Sequence, residues 1–202
     1  MTIAGVILAG GQSRRMGGSE KSLLKLGGKA QIEWVADCLE PQVVQMAINA
    51  NGDSSRFNFL DFPVLEDVVG GFVGPLSGVL TGMKWAEGLS GVTHIMTAAA
   101  DTPFIPHDFV SQLNNLLAGE SDIAMASSNG RIHPVFGLWP IHLANELEHF
   151  LVAEDKRKII EFAKRYTMHE VVFDTKGEDP FFNINTPEDL AIAKTMAKEI
   201  TR

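Results

Sequence analysis

Two kinds of apolar pattern alternate along the chain. Ile3–Leu8 is a continuous apolar run with no period of two, the mark of a central parallel strand covered on both faces. Over Ala30–Glu40 the residues Ile32, Val35, Ala36 and Leu39 fall at i, i+3, i+4 and i+7, which predicts a helix with one buried side. The alternation continues with strands at Val43–Ile48 and Pro63–Leu65. A helix over Leu76–Glu87 follows, with Leu76, Val79, Leu80 and Met83 as its buried stripe. His94–Ala99 reads as another buried strand and Pro106–Leu117 as a helix. Beyond these, Ile123–Ala126 and Val135–Trp139 read as strands, Pro140–Leu151 and Lys156–Tyr166 as helices, and Val171–Phe173 as a late strand. Thr186-Pro187-Glu188-Asp189 opens a final helix, with Thr at the N-cap, Pro at N1 and acids in the first turn. Helices between strands imply right-handed crossovers and a mainly parallel sheet with helices on both faces. No repeat or linker divides the pattern, so one α/β domain over residues 1–202 is expected.

Charge adds an asymmetry. The chain has a net charge of −8, which argues against a general nucleic-acid binder. Yet residues 1–29 carry Arg14, Arg15, Lys21, Lys25 and Lys29 against Glu20 alone. A local positive spot on an acidic protein suits a small anionic ligand such as a nucleotide, or is simply a solvated charged loop. The lone cysteine, Cys38, makes neither an internal disulfide nor a cysteine metal site. No apolar run approaches the ~18 residues of a membrane span. The N-terminal run has no basic residue before it and soon meets Gly10-Gly11, unlike a signal peptide. A cytoplasmic protein without membrane contact is expected.

Chemistry concentrates after the strands. Leu8-Ala9-Gly10-Gly11-Gln12-Ser13-Arg14-Arg15-Met16-Gly17-Gly18 follows the first strand directly, and ligands of open α/β sheets bind beyond the carboxyl ends of strands. Glycines admit backbone N–H groups to phosphate oxygens, Arg14 and Arg15 add planar donors, and Lys21 can return to the same cradle. The spacing fits neither G-x-G-x-x-G nor G-x-x-x-x-G-K-[ST]. Asp101, in Ala99-Ala100-Asp101-Thr102-Pro103, is placed to hold Mg²⁺ on nucleotide phosphates; the alternative is an N-cap or Asx-turn before the next helix. Asn49 and Asp67 also follow strands. They can meet a base or ribose, Asp67 accepting from the N1–H and N2–H₂ edge of guanine, or serve as turn residues. The stretch Gly70-Gly71-Phe72-Val73-Gly74-Pro75-Leu76-Ser77-Gly78 can close over a flat base, or is only a mobile loop.

Leu8-Ala9-Gly10-Gly11 through Arg15-Met16-Gly17-Gly18, then Lys21, resembles the signature of the molybdenum cofactor guanylyltransferase family. Asn49-Ala50-Asn51, Glu66-Asp67, Gly74-Pro75-Leu76-Ser77-Gly78, Asp101-Thr102-Pro103 and Asn183-Ile184-Asn185-Thr186-Pro187-Glu188 match further family segments in the same order. The resemblance spans nearly the whole chain. It implies a three-layer Rossmann-like nucleotidyltransferase fold, with a GTP-binding half over residues 1–110 and an acceptor half over 111–202. It also implies transfer of GMP from GTP to the phosphate of molybdopterin, with release of pyrophosphate.

Under that resemblance the GTP site comprises Leu8, Ala9, Gly10, Gly11, Lys21, Asn49, Asp67 and Asp101. Asp101 holds Mg²⁺, and Arg15, Lys21 and Asp101 stabilise the reacting phosphates. One departure is Glu20, where the family usually has Asp; the charge is kept and the reach is longer. On the acceptor side, His133-Pro134, the cluster Lys156-Arg157-Lys158, Asn183 and Asn185 resemble family positions. The cluster is either a solvated helix face or supplies, in at least one of Arg157 and Lys158, a group that orients the acceptor phosphate. Arg157 is the better candidate because its fork can bind two oxygens. Partners would be GTP, molybdopterin and, transiently, molybdoenzymes or their chaperones. The rivals are a cytidylyltransferase for the same cofactor, another small-molecule nucleotidyltransferase, and a carrier that binds without transfer. Gly10-Gly11 resembles the guanylyl enzymes, whereas the cytidylyl relatives more often carry a second Ala in that tetrapeptide.

Overall fold

Continuous apolar strands can be buried only between two helical layers, and the chain folds that way. The computed structural model describes residues 1–10, 21–70, 74–175 and 177–200. The strands are β1 (Ile3–Leu8), β2 (Lys25–Leu26), β3 (Lys29–Ala30), β4 (Met46–Asn49), β5 (Val64–Leu65), β6 (His94–Ala99), β7 (Ile123–Ser128), β8 (Arg131–Pro140) and β9 (Met168–Val172). The helices are α1 (Gln31–Leu39), α2 (Pro75–Ala86), α3 (Phe109–Asn114), α4 (Ala144–Val152), α5 (Ile159–Ala163) and α6 (Pro187–Ile200). Seven strands form one sheet in the order β5-β4-β1-β6-β8-β7-β9, and β2 with β3 makes a separate hairpin. In the large sheet every described pairing is parallel except those of β8, which runs against β6 and β7.

Strand periodicity divides the core. Ile3 and Ile7 of β1 face one layer, with Ile32, Val35, Leu39, Phe109, Phe136, Phe173 and Phe181. Ala4 and Val6 face the other, with Leu80, Met83, Trp139, Leu147, Phe150 and Phe162. A third, small cluster joins Leu26 of the hairpin to Ile184 and to Ala193 of α6, all fully buried. No helix among the described residues is long and apolar enough to cross a membrane.

Several boundaries differ from the sequence pattern. The second strand starts at Met46 rather than residue 43, because Val44 is exposed and its N–H bonds Ile3 O before the ladder proper begins. The helix expected over residues 106–117 is confined to Phe109–Asn114, since the Pro106 carbonyl receives Phe109 N–H in a turn. The helix expected from Lys156 begins only at Ile159: Asp155 takes φ 50° and Lys156 N–H turns back to Phe150 O. The cluster Lys156–Lys158 therefore precedes a helix instead of lying on one. β7 and β8 are longer than expected and join through Asn129-Gly130, both at positive φ, the turn that matches the twist of a tight hairpin.

Candidate active site

Register brings the chemistry together. Leu8 stands opposite both Asn49 and Ala99, and Asn49 opposite Leu65, so four parallel strands end level with one another. The chain stays zipped just past that line: Ala9 N–H donates to Asn49 O, Ala50 N–H to Leu65 O and Ala100 N–H to Leu8 O, at 2.9, 2.9 and 3.1 Å. Gly10, Asp67 and Asp101 leave the sheet at this edge.

Asn49 is buried and its amide is fixed by chemistry. Nδ2 donates to Leu65 O at 3.2 Å and to Asp67 Oδ1 at 2.9 Å, both groups that only accept. Asn51 grips the same residue twice: its Nδ2 donates to Asp67 Oδ2 and its Oδ1 accepts Asp67 N–H, each at 2.9 Å. The Asp67 carboxylate is thus clamped by two asparagines and keeps further lone pairs on each oxygen. Thr81 Oγ1 receives Val68 N–H at 3.0 Å and Ser77 Oγ donates to Val69 O at 3.2 Å, which pins the segment to α2.

The glycine at 78 explains how Asn49 fits. A Cβ there would lie 2.3 Å from Asn49 Oδ1 and 2.8 Å from Leu8 Cδ2, closer than atoms can approach. Glycine inside a helix costs about 1 kcal/mol relative to alanine, so propensity alone favours Gly78→Ala. Crowding of a packed core costs roughly 1–3 kcal/mol and reverses the sign. Gly78→Ala is expected to lower stability by about 1 kcal/mol in urea unfolding and to push Asn49 off Asp67; a stabilised variant would show that the contact relaxes freely.

Asp101 follows β6 and is partly buried. Its carbonyl accepts Ile184 N–H at 3.1 Å, which lays the segment holding Asn183 and Asn185 directly beside it. Asp189 Oδ2 receives the N–H groups of Asn185 and Thr186 at 2.9 Å each, while Thr186 Oγ1 caps Asp189 N–H at 3.1 Å, a reciprocal cap that starts α6. No group of three His, Cys, Asp or Glu placed for a metal occurs among the described residues.

With this edge in view, comparison with known proteins becomes decisive. Residues 5–170 match the MobA-like NTP transferase domain. The chain belongs to the MobA-like NTP transferase family. Two similar relatives are each named molybdenum cofactor guanylyltransferase: one from Mesorhizobium japonicum, 47% identical with 98% of both chains covered, and one from Cereibacter sphaeroides, 45% identical with 98% of this chain and 99% of the relative covered. Among solved structures, molybdopterin-guanine dinucleotide biosynthesis protein A from Archaeoglobus fulgidus matches with a TM-score of 0.74 at 25% identity, over 98% of this chain and all of that one. A nucleotidyl transferase from Methanothermobacter thermautotrophicus, 18% identical with a TM-score of 0.75 over 98% of this chain and 99% of that one, shares the fold.

Of the residues singled out from sequence in this family member, the structure gathers Leu8, Ala9, Gly10, Asn49, Asp67, Asp101, Asn183 and Asn185 at one edge. Gly11 and Arg15 lie outside the described residues, as does the Lys21 side chain; Lys21 itself opens the short 3-10 helix Lys21–Leu23. Arg157 and Lys158 stand in a separate acid-rich loop, where Arg157 Nη2 meets Asp155 Oδ1 at 2.7 Å and Lys156 bridges Glu154 and Glu161 at 3.2 and 3.0 Å. Sequence reasoning gave no separate role to Asn51, Ser77, Gly78 and Thr81, although the first three stand inside the matched segments.

Proposed function

We propose that this nucleotidyltransferase transfers GMP from GTP to the phosphate of molybdenum-molybdopterin, giving molybdopterin guanine dinucleotide and pyrophosphate. The observation that carries the reading is the single sheet edge at which the Asn49–Asn51–Asp67 clamp and Asp101 both leave parallel strands, with the Asn183–Asn185 segment bonded to the Asp101 carbonyl through Ile184 N–H. An acceptor phosphate oxygen attacks the α-phosphorus of GTP; that P–O bond forms as the bond to the β-phosphate oxygen breaks, and pyrophosphate leaves. The nucleophile is already ionised near pH 7, so alignment and charge neutralisation do the catalysis.

In this reading Asp67 takes the guanine edge and Asn49 lies beneath it. The amides of Leu8, Ala9, Gly10 and Gly11, with Arg15 and Lys21, take the triphosphate. Asp101 is a single, partly buried carboxylate beside that place, which suits Mg²⁺, a cation that takes one or two carboxylates with phosphate and water. Mg²⁺ held there supplies positive charge to the triphosphate. Residues 1–110 serve GTP and residues 111–202 the acceptor, with Asn183 and Asn185 as its nearest contacts.

Arg157 and Lys158 serve as the attracting pair for the acceptor phosphate. The Arg157–Asp155 pair is solvated, with the arginine side chain 53% exposed, so its fork can turn to a phosphate at small cost. Arg157→Ala is expected to raise the apparent KM for molybdopterin a few-fold and leave GTP affinity within about twofold, read by steady-state kinetics varying each substrate. Loss of GTP affinity would move Arg157 to the nucleotide side. The test of the whole reading is pyrophosphate release with molybdopterin and either GTP or CTP. Turnover with GTP supports it; preference for CTP makes the protein a cytidylyltransferase, and binding without release makes it a carrier.

A further inference from the structure

Further along the same edge, three polar side chains form a directed chain. Ser128 ends β7 and is 1% exposed. Its Oγ lies 2.8 Å from Asp179 Oδ1 and 2.7 Å from His133 Nε2. A serine hydroxyl has one hydrogen, and an ionised carboxylate only accepts. That hydrogen therefore points to Asp179, and the other contact is His133 Nε2–H donating to Ser128 Oγ. Burial lowers the His133 pKa below the usual histidine value, so the ring is neutral at pH 7 and its Nδ1 carries the lone pair. The ring also rests on Phe181, with centroids 4.7 Å apart.

Asp179 does more than orient Ser128. Its Oδ1 also accepts Phe181 N–H at 2.9 Å, its Oδ2 accepts from Asn129 Nδ2 at 3.3 Å, and its carbonyl accepts Phe182 N–H at 3.0 Å. These bonds fix the turn from which the chain runs to Ile184, whose N–H reaches the Asp101 carbonyl. Phe181 and Ile184 are buried, so the strap is nailed down at both ends.

We propose that Asp179 is a positioning residue for the acceptor side of the reaction: through Ser128 it sets the tautomer of His133, and through the turn it sets where Asn183 and Asn185 stand relative to Asp101. The proposal rests on the guanylyl-transfer reading above. Asp179 acts through the strap and through His133, without itself touching a reacting group. The GTP side does not depend on it, because Asn49, Asn51 and Asp67 hold one another by their own bonds.

Pyrophosphate release by the full chain with Mg²⁺, GTP and molybdopterin, each substrate varied in turn, tests this. Asp179→Ala is expected to raise the acceptor KM on the order of tenfold and to leave the GTP KM within about twofold. Asp179→Asn keeps an oxygen for Ser128 and Phe181 and is expected to recover most of the loss. Ser128→Ala is expected to move the acceptor KM in the same direction, and the double variant to be no worse than Asp179→Ala alone, as for groups acting in one chain. Nitrogen-15 NMR of the histidine rings supplies a readout free of turnover: His133 carries its proton on Nε2 in the wild type and loses that preference in Asp179→Ala. If Asp179→Ala does not fold, Asp179→Asn and Ser128→Ala carry the same comparison. Equal rises in both KM values, an unchanged acceptor KM, or a wild-type proton on Nδ1 would overturn the proposal. Absence of pyrophosphate from the wild type would instead sink the guanylyl-transfer reading, while the NMR result still decides whether Asp179 directs His133.

Discussion

Asp101→Asn lowers transfer by at least about 10³-fold while the protein still melts within about 2 °C of the wild type. The first half of that expectation follows from charge. Positive charge held against a triphosphate is worth several kcal/mol in the transition state, and each 1.36 kcal/mol is a factor of ten. Asparagine keeps the size and one oxygen of aspartate but not the negative charge that retains a divalent cation. The second half follows from geometry. The link from this residue to the strap uses its backbone carbonyl, which the substitution leaves in place. Purified variant and wild type compared at ordinary Mg²⁺ in pyrophosphate release decide the matter; full turnover by the variant removes Asp101 from the site.

Asp67→Ala weakens GTP binding by about 1–3 kcal/mol, or roughly 5- to 150-fold. Each carboxylate oxygen already receives one asparagine amide, and each retains a lone pair for a donor of the guanine edge. Removal has two effects at once. It deletes the acceptor pair, and it strands the Nδ2 of buried Asn49 beside Leu65 O alone. Isothermal titration with both GTP and CTP separates the two. Reading of the base requires GTP to lose more than CTP. Equal losses would reduce Asp67 to an organiser of Asn49 and Asn51.

β1 was legible to the residue because burial on both faces leaves no polar interruption and Gly10 follows two residues after Leu8. β6 was legible to the residue although it carries His94 and Thr97, because its other positions are apolar and both polar residues are buried within it. Helix starts were less legible where tertiary bonds override spacing. The apolar positions Ile159, Ile160 and Phe162 suit a helix running from Lys156, but Lys156 N–H is taken by Phe150 O. The β7–β8 hairpin carried a readable signal in Asn129-Gly130, and a two-residue turn of that kind demands an antiparallel partner. The inverted direction of β8 was therefore available from the sequence.

For the site, Leu8, Asn49 and Asp101 were visible as strand-end positions, and Asp67 as a carboxylate at the same edge. The Asn51–Asp67 clamp and the close approach of Gly78 to Asn49 were not, since both depend on how distant segments meet. Ser128 and Asp179 are 51 residues apart and give no local pattern at all.

The bond between Ile184 N–H and the Asp101 carbonyl joins residues about 80 positions apart. A ribosome adds roughly 5–20 residues each second, so Asp101 is made roughly 4–16 s before its partner. During that interval the four neighbouring parallel strands β5, β4, β1 and β6 exist, but Leu26 lacks the cover of Ile184 and Ala193. Leu26 therefore stays uncovered, and the Asp101 carbonyl unbonded to the strap, until the segment that carries Ile184 and Ala193 has been made and docked.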